Sequence, residues 1–210
     1  MLSAANVRRQ RGFSMIEVAI TMAMLAVLLF AVMPEVTTMV ANNRIRAGAE
    51  SLLQGLQRAR NEALRSNQSV TFWLATPNAS GSLDNTCALS ATARGWVVSL
   101  NDPTTKCAAA STSGADPFVV EKAVGGEVAS TVTVSALQAD TVTAANSVAF
   151  DGFGRVTGAA PISTITLNNS TNGNNFRRLQ IEIQSGGSAR LCQWGVVDAT
   201  DPRRCFIALP

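Results

Sequence analysis

An uncharged run, VAITMAMLAVLLFAVM from Val18 to Met33, follows arginines at 8, 9 and 11 and a glycine at 12. With Phe13 to Glu17 in front, residues 13–33 reach the roughly 20 residues that a helix needs to cross a bilayer core. Arginines ahead of such a segment hold that end in the cytoplasm. A cleaved secretory signal would have a shorter apolar region and small residues at its cut. A buried core helix would not need the arginines. Glu17 is the residue none of these explains. A carboxylate in hydrocarbon costs roughly 2.5–3.5 kcal/mol on insertion scales and calls for a partner. Residues 18–43 contain no basic side chain. A cut between Gly12 and Phe13 would supply one, because the new amine would lie one helical turn from Glu17 or face Glu17 of a neighbouring chain.

Behind its basic leader and ahead of its apolar run, Gly12-Phe13-Ser14-Met15-Ile16-Glu17 resembles the type IV prepilin processing signal. The resemblance implies cleavage after Gly12 by a membrane prepilin peptidase, methylation of the amine on Phe13, and docking of subunits through Glu17. Gly12 lacks a Cβ, which suits a narrow protease site. Residues 1–12 are then a leader, and 13–35 a transmembrane helix half in the inner membrane. The rest lies in the periplasm, and after assembly in a pilus or pseudopilus that reaches the cell surface.

Beyond Pro34, which should kink or locally open the helix, residues 36–66 continue as an amphipathic half. Ile45, Ala49, Leu52, Leu56, Ala59 and Ala63 recur at steps of four and three, one stripe of a helix. The charged residues fall largely on the other faces, a solvated surface with Arg58–Glu62 and Glu62–Arg65 at pairing distance. Gly48 and Gly55 weaken the helix modestly and allow close packing. After Asn67 the pattern changes to short strands near 69–75, 95–100, 118–122, 131–136, 147–150, 163–167 and 178–184, with turn-rich segments between. Alternation is clearest at Val132–Val134 and Leu179–Ile181–Ile183. The fold class is α+β, a long N-terminal helix packed on antiparallel sheets or a sandwich within a β-rich domain at 67–210.

Cys87, Cys107, Cys192 and Cys205 make an even set without a C-x-x-C pair, and the chain has no histidine. No metal site is expected, and a body outside the inner membrane favours disulfides. Proximity along the chain favours Cys87–Cys107 and Cys192–Cys205, the second closing a C-terminal loop, among three connectivities.

The segments LQRARNEALRSNQSVTF, GWVV, FDGFGR, SARLC and DPRRC resemble the FimT/GspH family of minor pilins and secretion pseudopilins. This implies other pilins or pseudopilins as partners. The loops at 76–94 and 101–117 are not explained by it.

Without histidine, Ser/His/Asp and Cys/His nucleophilic systems are excluded. The glycines of DGFGR and GGSAR sit between strands rather than before a helix, so phosphate-loop readings fail. The chain reads as a structural protein, not an enzyme, with no cofactor. The chain holds 17 basic and 14 acidic residues, so that outside the leader they balance. Any DNA binding must therefore be local. The candidates are Arg190, Arg203 and Arg204, gathered by a Cys192–Cys205 bridge to contact phosphates, with Trp194 placed to stack on a base. The family resemblance connects this region with DNA capture during natural transformation, through a G-R-x-R motif. Gly187-Ser188-Ala189-Arg190 matches it without the first arginine. The competing reading makes Trp194 core, with the arginines solvated or paired to Asp198 and Asp201.

Overall fold

The computed structural model describes residues 12–78, 80–111, 114–123, 130–171 and 176–207, with the backbone alone at 30–34. One α-helix, Met15–Ser66, opens the chain (α1). The helix is continuous across Pro34, which has no amide hydrogen to give to the preceding turn. The chain divides into two compact units, 1–39 and 40–210. The first is the N-terminal part of α1, its described apolar side chains exposed. Among the described residues no helix is long and apolar enough to cross a membrane. The transmembrane half expected at 13–35 extends over residues 30–34, whose side chains lie outside those described. The leader at 1–11 lies outside the described residues.

The second unit contains residues 40–66 of α1 and all the strands. These are Val70–Thr76 (β1), Ala88–Leu89 (β2), Gly95–Ser99 (β3), Val119–Ala123 (β4), Val132–Leu137 (β5), Ser147–Phe150 (β6), Val156–Thr157 (β7), Thr164–Asn169 (β8), Leu179–Ile183 (β9) and Ala189–Gln193 (β10). One sheet runs β4-β3-β1-β6-β7, with β2 on β1, and the other runs β10-β9-β8-β5. Every pairing between these strands is antiparallel. The expected α+β class holds. The expected strands map onto β1, β3, β4, β5, β6, β8 and β9, while β2, β7 and β10 were not read from the sequence.

The helix stripe is the spine of the core. Ile45, Ala49, Leu52, Leu56, Ala59 and Ala63 are all at most 1% exposed and share one cluster with Phe72, Trp96, Phe150, Ile165 and Ile181. Burying each large side chain contributes about 1.5–3 kcal/mol. Gly55 gives the expected close packing: a Cβ there would stand 2.8 Å from both Phe72 and Trp96. Those rings stack with centroids 5.9 Å apart, and Trp96 Nε1 donates to Ser51 Oγ at 3.1 Å. Asn67, at φ 52°, stops the helix, as a left-handed residue does after a last turn.

The loops without a sequence rationale form a second core. Val97 and Val119 pack with Leu83, Ala75, Cys87 and Cys107 in a separate buried cluster. The bridge Cys87–Cys107 lies inside it. Cys192–Cys205 is the other bridge, so the pairing favoured by proximity is the one formed.

Candidate functional site

Three places gather the residues singled out above. At the start of α1, Ser14 caps the helix: the amides of Glu17 and Val18 donate to its carbonyl at 3.0 and 3.2 Å. Ser14 and Glu17 thus have the S-x-x-E spacing of a capping box. A first-turn carboxylate also complements the helix dipole. Phe13, at 83% exposed, and Met15, at 93%, stand fully open. A Cβ on Gly12 would meet nothing within 4 Å. The junction at 12–13 is therefore accessible, and Glu17 is exposed one turn beyond it.

The second place is the outer face of β9 and β10. Alternation along β9 sends Ile181 and Ile183 to the core, which should leave Gln180 and Glu182 in water. They are instead 0% and 2% exposed. The C-terminal tail lies over this face. Glu182 accepts from Arg190 Nε and Nη2 at 2.9 and 2.7 Å, and from the Ile207 amide at 2.6 Å. Gln180 Nε2 donates to the Ile207 carbonyl at 2.9 Å. Arg190 also donates to the Arg204 carbonyl at 2.9 Å and stacks on Phe206, 3.6 Å from its centroid. A buried carboxylate is stable only with its lone pairs filled, and here they hold down the tail.

This arrangement revises the arginine candidates. Arg190 is held internally by Glu182, not by Asp198 or Asp201. Arg203 is paired with Asp201 at 2.7 Å, as the competing reading expected, yet remains 65% exposed. Arg204 is half-buried. Trp194 is half-buried rather than core and carries Arg178 over its ring at 4.8 Å. Glu182, Cys192 and Cys205 offer atoms within 4.8 Å of one another. They are no metal site, since both sulfurs are joined to each other and Arg190 occupies the carboxylate.

The third place joins two glycine turns. Asp151 accepts from the amides of Phe153 and Arg155 at 3.0 and 2.9 Å, the turn chemistry expected of Asp-Gly. Gly154 and Gly187 both have positive φ, 72° and 81°. Arg60 Nε reaches the Gly154 carbonyl at 3.1 Å and Arg60 Nη2 the Gly186 carbonyl at 3.4 Å. DGFGR and GGSAR, far apart in sequence, thus meet on α1. Arg60 is therefore a clamp, not part of a solvated face. Of the expected helix pairs, Arg65–Glu62 forms at 2.5 Å. Arg58 instead meets Glu121 of β4 at 2.9 Å.

Several carboxyls sit below their usual range. Hydrogen bonding from Arg65 lowers Glu62, and that from Arg203 lowers Asp201. The Lys106 ammonium lowers Asp116, the Thr86 hydroxyl Asp84, and the Thr143 hydroxyl Asp140. The Arg155 amide lowers Asp151 and the Thr200 amide Asp198. A carboxyl with a lowered folded pKa stabilises the fold above its unfolded value, about 4. That stability is lost as pH falls through the folded value. The melting temperature should therefore drop from about pH 7 to about pH 3, the unfolded chain binding more protons. An unchanged or rising melting temperature would contradict these assignments.

With this geometry in view, comparison with known proteins decides the family. The family model described as Type II transport protein GspH matches residues 48–187. The chain belongs to the GspH family. A second model, described as the prokaryotic N-terminal methylation motif, matches residues 7–33. The GspH match spans α1 from residue 48 to the 184–188 turn, so both glycine turns and the Arg60 clamp lie inside it. Two crystal structures of the type IV minor pilin FimU from Pseudomonas aeruginosa strain PAO1 are similar to this chain. The structure in space group P21 is 18% identical, covering 71% of this chain and 88% of FimU at a TM-score of 0.44. The P65 structure is 17% identical, covering 70% and 90% at a TM-score of 0.41. No curated protein matches. The expected FimT/GspH resemblance is borne out, and the GspH-family chain is a pilin-like structural subunit.

Proposed function

We propose that this chain is a minor subunit of a type IV pilus, cut after Gly12 and built into the filament through its N-terminal helix. The observation that carries this is the exposed apolar surface at 13–29, directly behind the accessible junction at 12–13 and with Glu17 in its first turn. Exposed apolar area on this scale marks an interaction surface. Before assembly it rests in the inner membrane, with the β-rich unit in the periplasm. Afterwards it packs on the helices of other pilins. Prepilin peptidase and those pilins are the partners.

Glu17 has two physical roles to separate, helix capping and charge pairing with a Phe13 amine. Glutamine keeps the cap and removes the charge. Both Glu17→Gln and Glu17→Ala should lower recovery of the subunit in sheared filaments at least about tenfold, an effect of ~1.4 kcal/mol or more in docking. Normal recovery of Glu17→Gln would reduce Glu17 to a capping residue.

A second reading, a type II secretion pseudopilin, is favoured by the description of the matched family. Deletion would then abolish protein export and leave surface pili intact. DNA capture has less support, because Arg190 is committed to Glu182 and only Arg203 and Arg204 remain of the candidate set.

A further inference from the structure

The hydrogen-bond parity of β10 leaves one edge of its sheet open. Trp194 N donates to the Arg178 carbonyl at 3.1 Å, and Gln184 N to the Ser188 carbonyl at 2.9 Å. Both lie in the β9–β10 register that pairs Arg190 with Glu182 and Cys192 with Gln180. Paired residues in an antiparallel ladder alternate between bonded and non-bonded. The amides and carbonyls of Arg190 and Cys192 therefore face β9, and those of Ala189, Leu191 and Gln193 face outward. Strand β10 ends its sheet. Among the described residues the chain uses this edge once: Gln193 N donates to the Arg203 carbonyl at 2.7 Å, in a parallel bridge of Gln193 with Arg204. At Ala189 and Leu191 the outward groups have no strand beside them among the described residues.

Two grooves between α1 and β10 flank this open stretch. One, of about 280 Å³, lies beside Arg60 and Gly187–Ala189. The other, of about 290 Å³, has Leu179, Leu191 and Cys192 as apolar lining and is ringed by Arg46, Arg177 and Arg203. Neither lining includes a carboxylate. Arg46 and Arg203 pair with Glu50 and Asp201, but at 70% and 65% exposed these are surface pairs, which exchange partners at little cost. Arg177 is exposed.

We propose that the open edge of β10 receives an extended, carboxylate-bearing segment of a partner protein as an added strand. The backbone supplies alternating donors and acceptors about 6.8 Å apart, the repeat of two strand residues. Leu191 and Leu179 take an apolar side chain, and Arg46, Arg177 and Arg203 take carboxylates. A nucleic acid would satisfy the arginines but not the alternating edge, so the peptide is the better fit.

The probe is a short end-capped peptide alternating valine and glutamate, added at millimolar concentration to the full chain in detergent micelles. The readout is amide hydrogen exchange at residues 189–191. The glutamate peptide should slow exchange there about tenfold or more. The Arg46→Glu, Arg177→Glu double variant should lose that protection while melting as the parent does. Three results would overturn the proposal: no slowing at saturation, equal slowing by a valine–lysine peptide, or equal slowing by a single-stranded oligodeoxynucleotide, which would assign the face to nucleic acid.

Discussion

Replacing Gly187 with valine should lower the unfolding free energy by about 3–5 kcal/mol, whereas Gly186→Ala should change it by less than about 0.5 kcal/mol. The two glycines are neighbours in one hairpin, and the chemistry of substitution is similar. What differs is the place. At Gly187, φ is 81°, and a Cβ would stand 1.8 Å from the carbonyl oxygen of Gly154, which is backbone and cannot rotate aside. At Gly186 a Cβ meets nothing within 4 Å. The strain at Gly187 passes to Arg60, which binds both turns. Urea unfolding of both variants checks the difference. Equal, small losses would mean that the two turns do not hold each other against α1.

Glu182→Ala should cost about 3–5 kcal/mol, the range for breaking a buried ion pair by removing one partner. The loss frees Arg190, the Ile207 amide and with them the tail, so proteolysis should move to residues 194–207 while the rest stays resistant. Glu182→Gln keeps the side chain's size and an acceptor for Ile207 but not the charge for Arg190, and should cost less. A loss under about 0.5 kcal/mol for Glu182→Ala would show that the disulfide alone holds the tail.

Glu182 also marks where reading the sequence stops. Leu179, Ile181 and Ile183 were legible as a core face because apolar alternation is a local signal. The opposite face carries Gln180 and Glu182, and polarity there predicts water. Only the tail, arriving through Cys192–Cys205, buries them. Strand β10 was missed for the same reason: ARLCQ has no alternation, and its arginine is buried in part only because Glu182 faces it. The helix stripe from Ile45 to Ala63 was legible throughout, being periodic within one element. Arg60 looked like any surface arginine, since its partners are carbonyls of turns roughly 90 and 130 residues away. The motifs DGFGR and GGSAR were visible as turns, but not their mutual contact. At the N-terminus the signal was nearly all local, a glycine, an aromatic and an acid at fixed spacing. The S-x-x-E spacing stands in the same residues.

The central claim is that the chain matures by losing residues 1–12, which frees an amine at Phe13 beside Glu17. Intact mass and N-terminal sequencing of protein extracted from cells carrying the peptidase test this directly. The account predicts a chain beginning at N-methylated Phe13. A chain that still begins at Met1 in assembled filaments would contradict it.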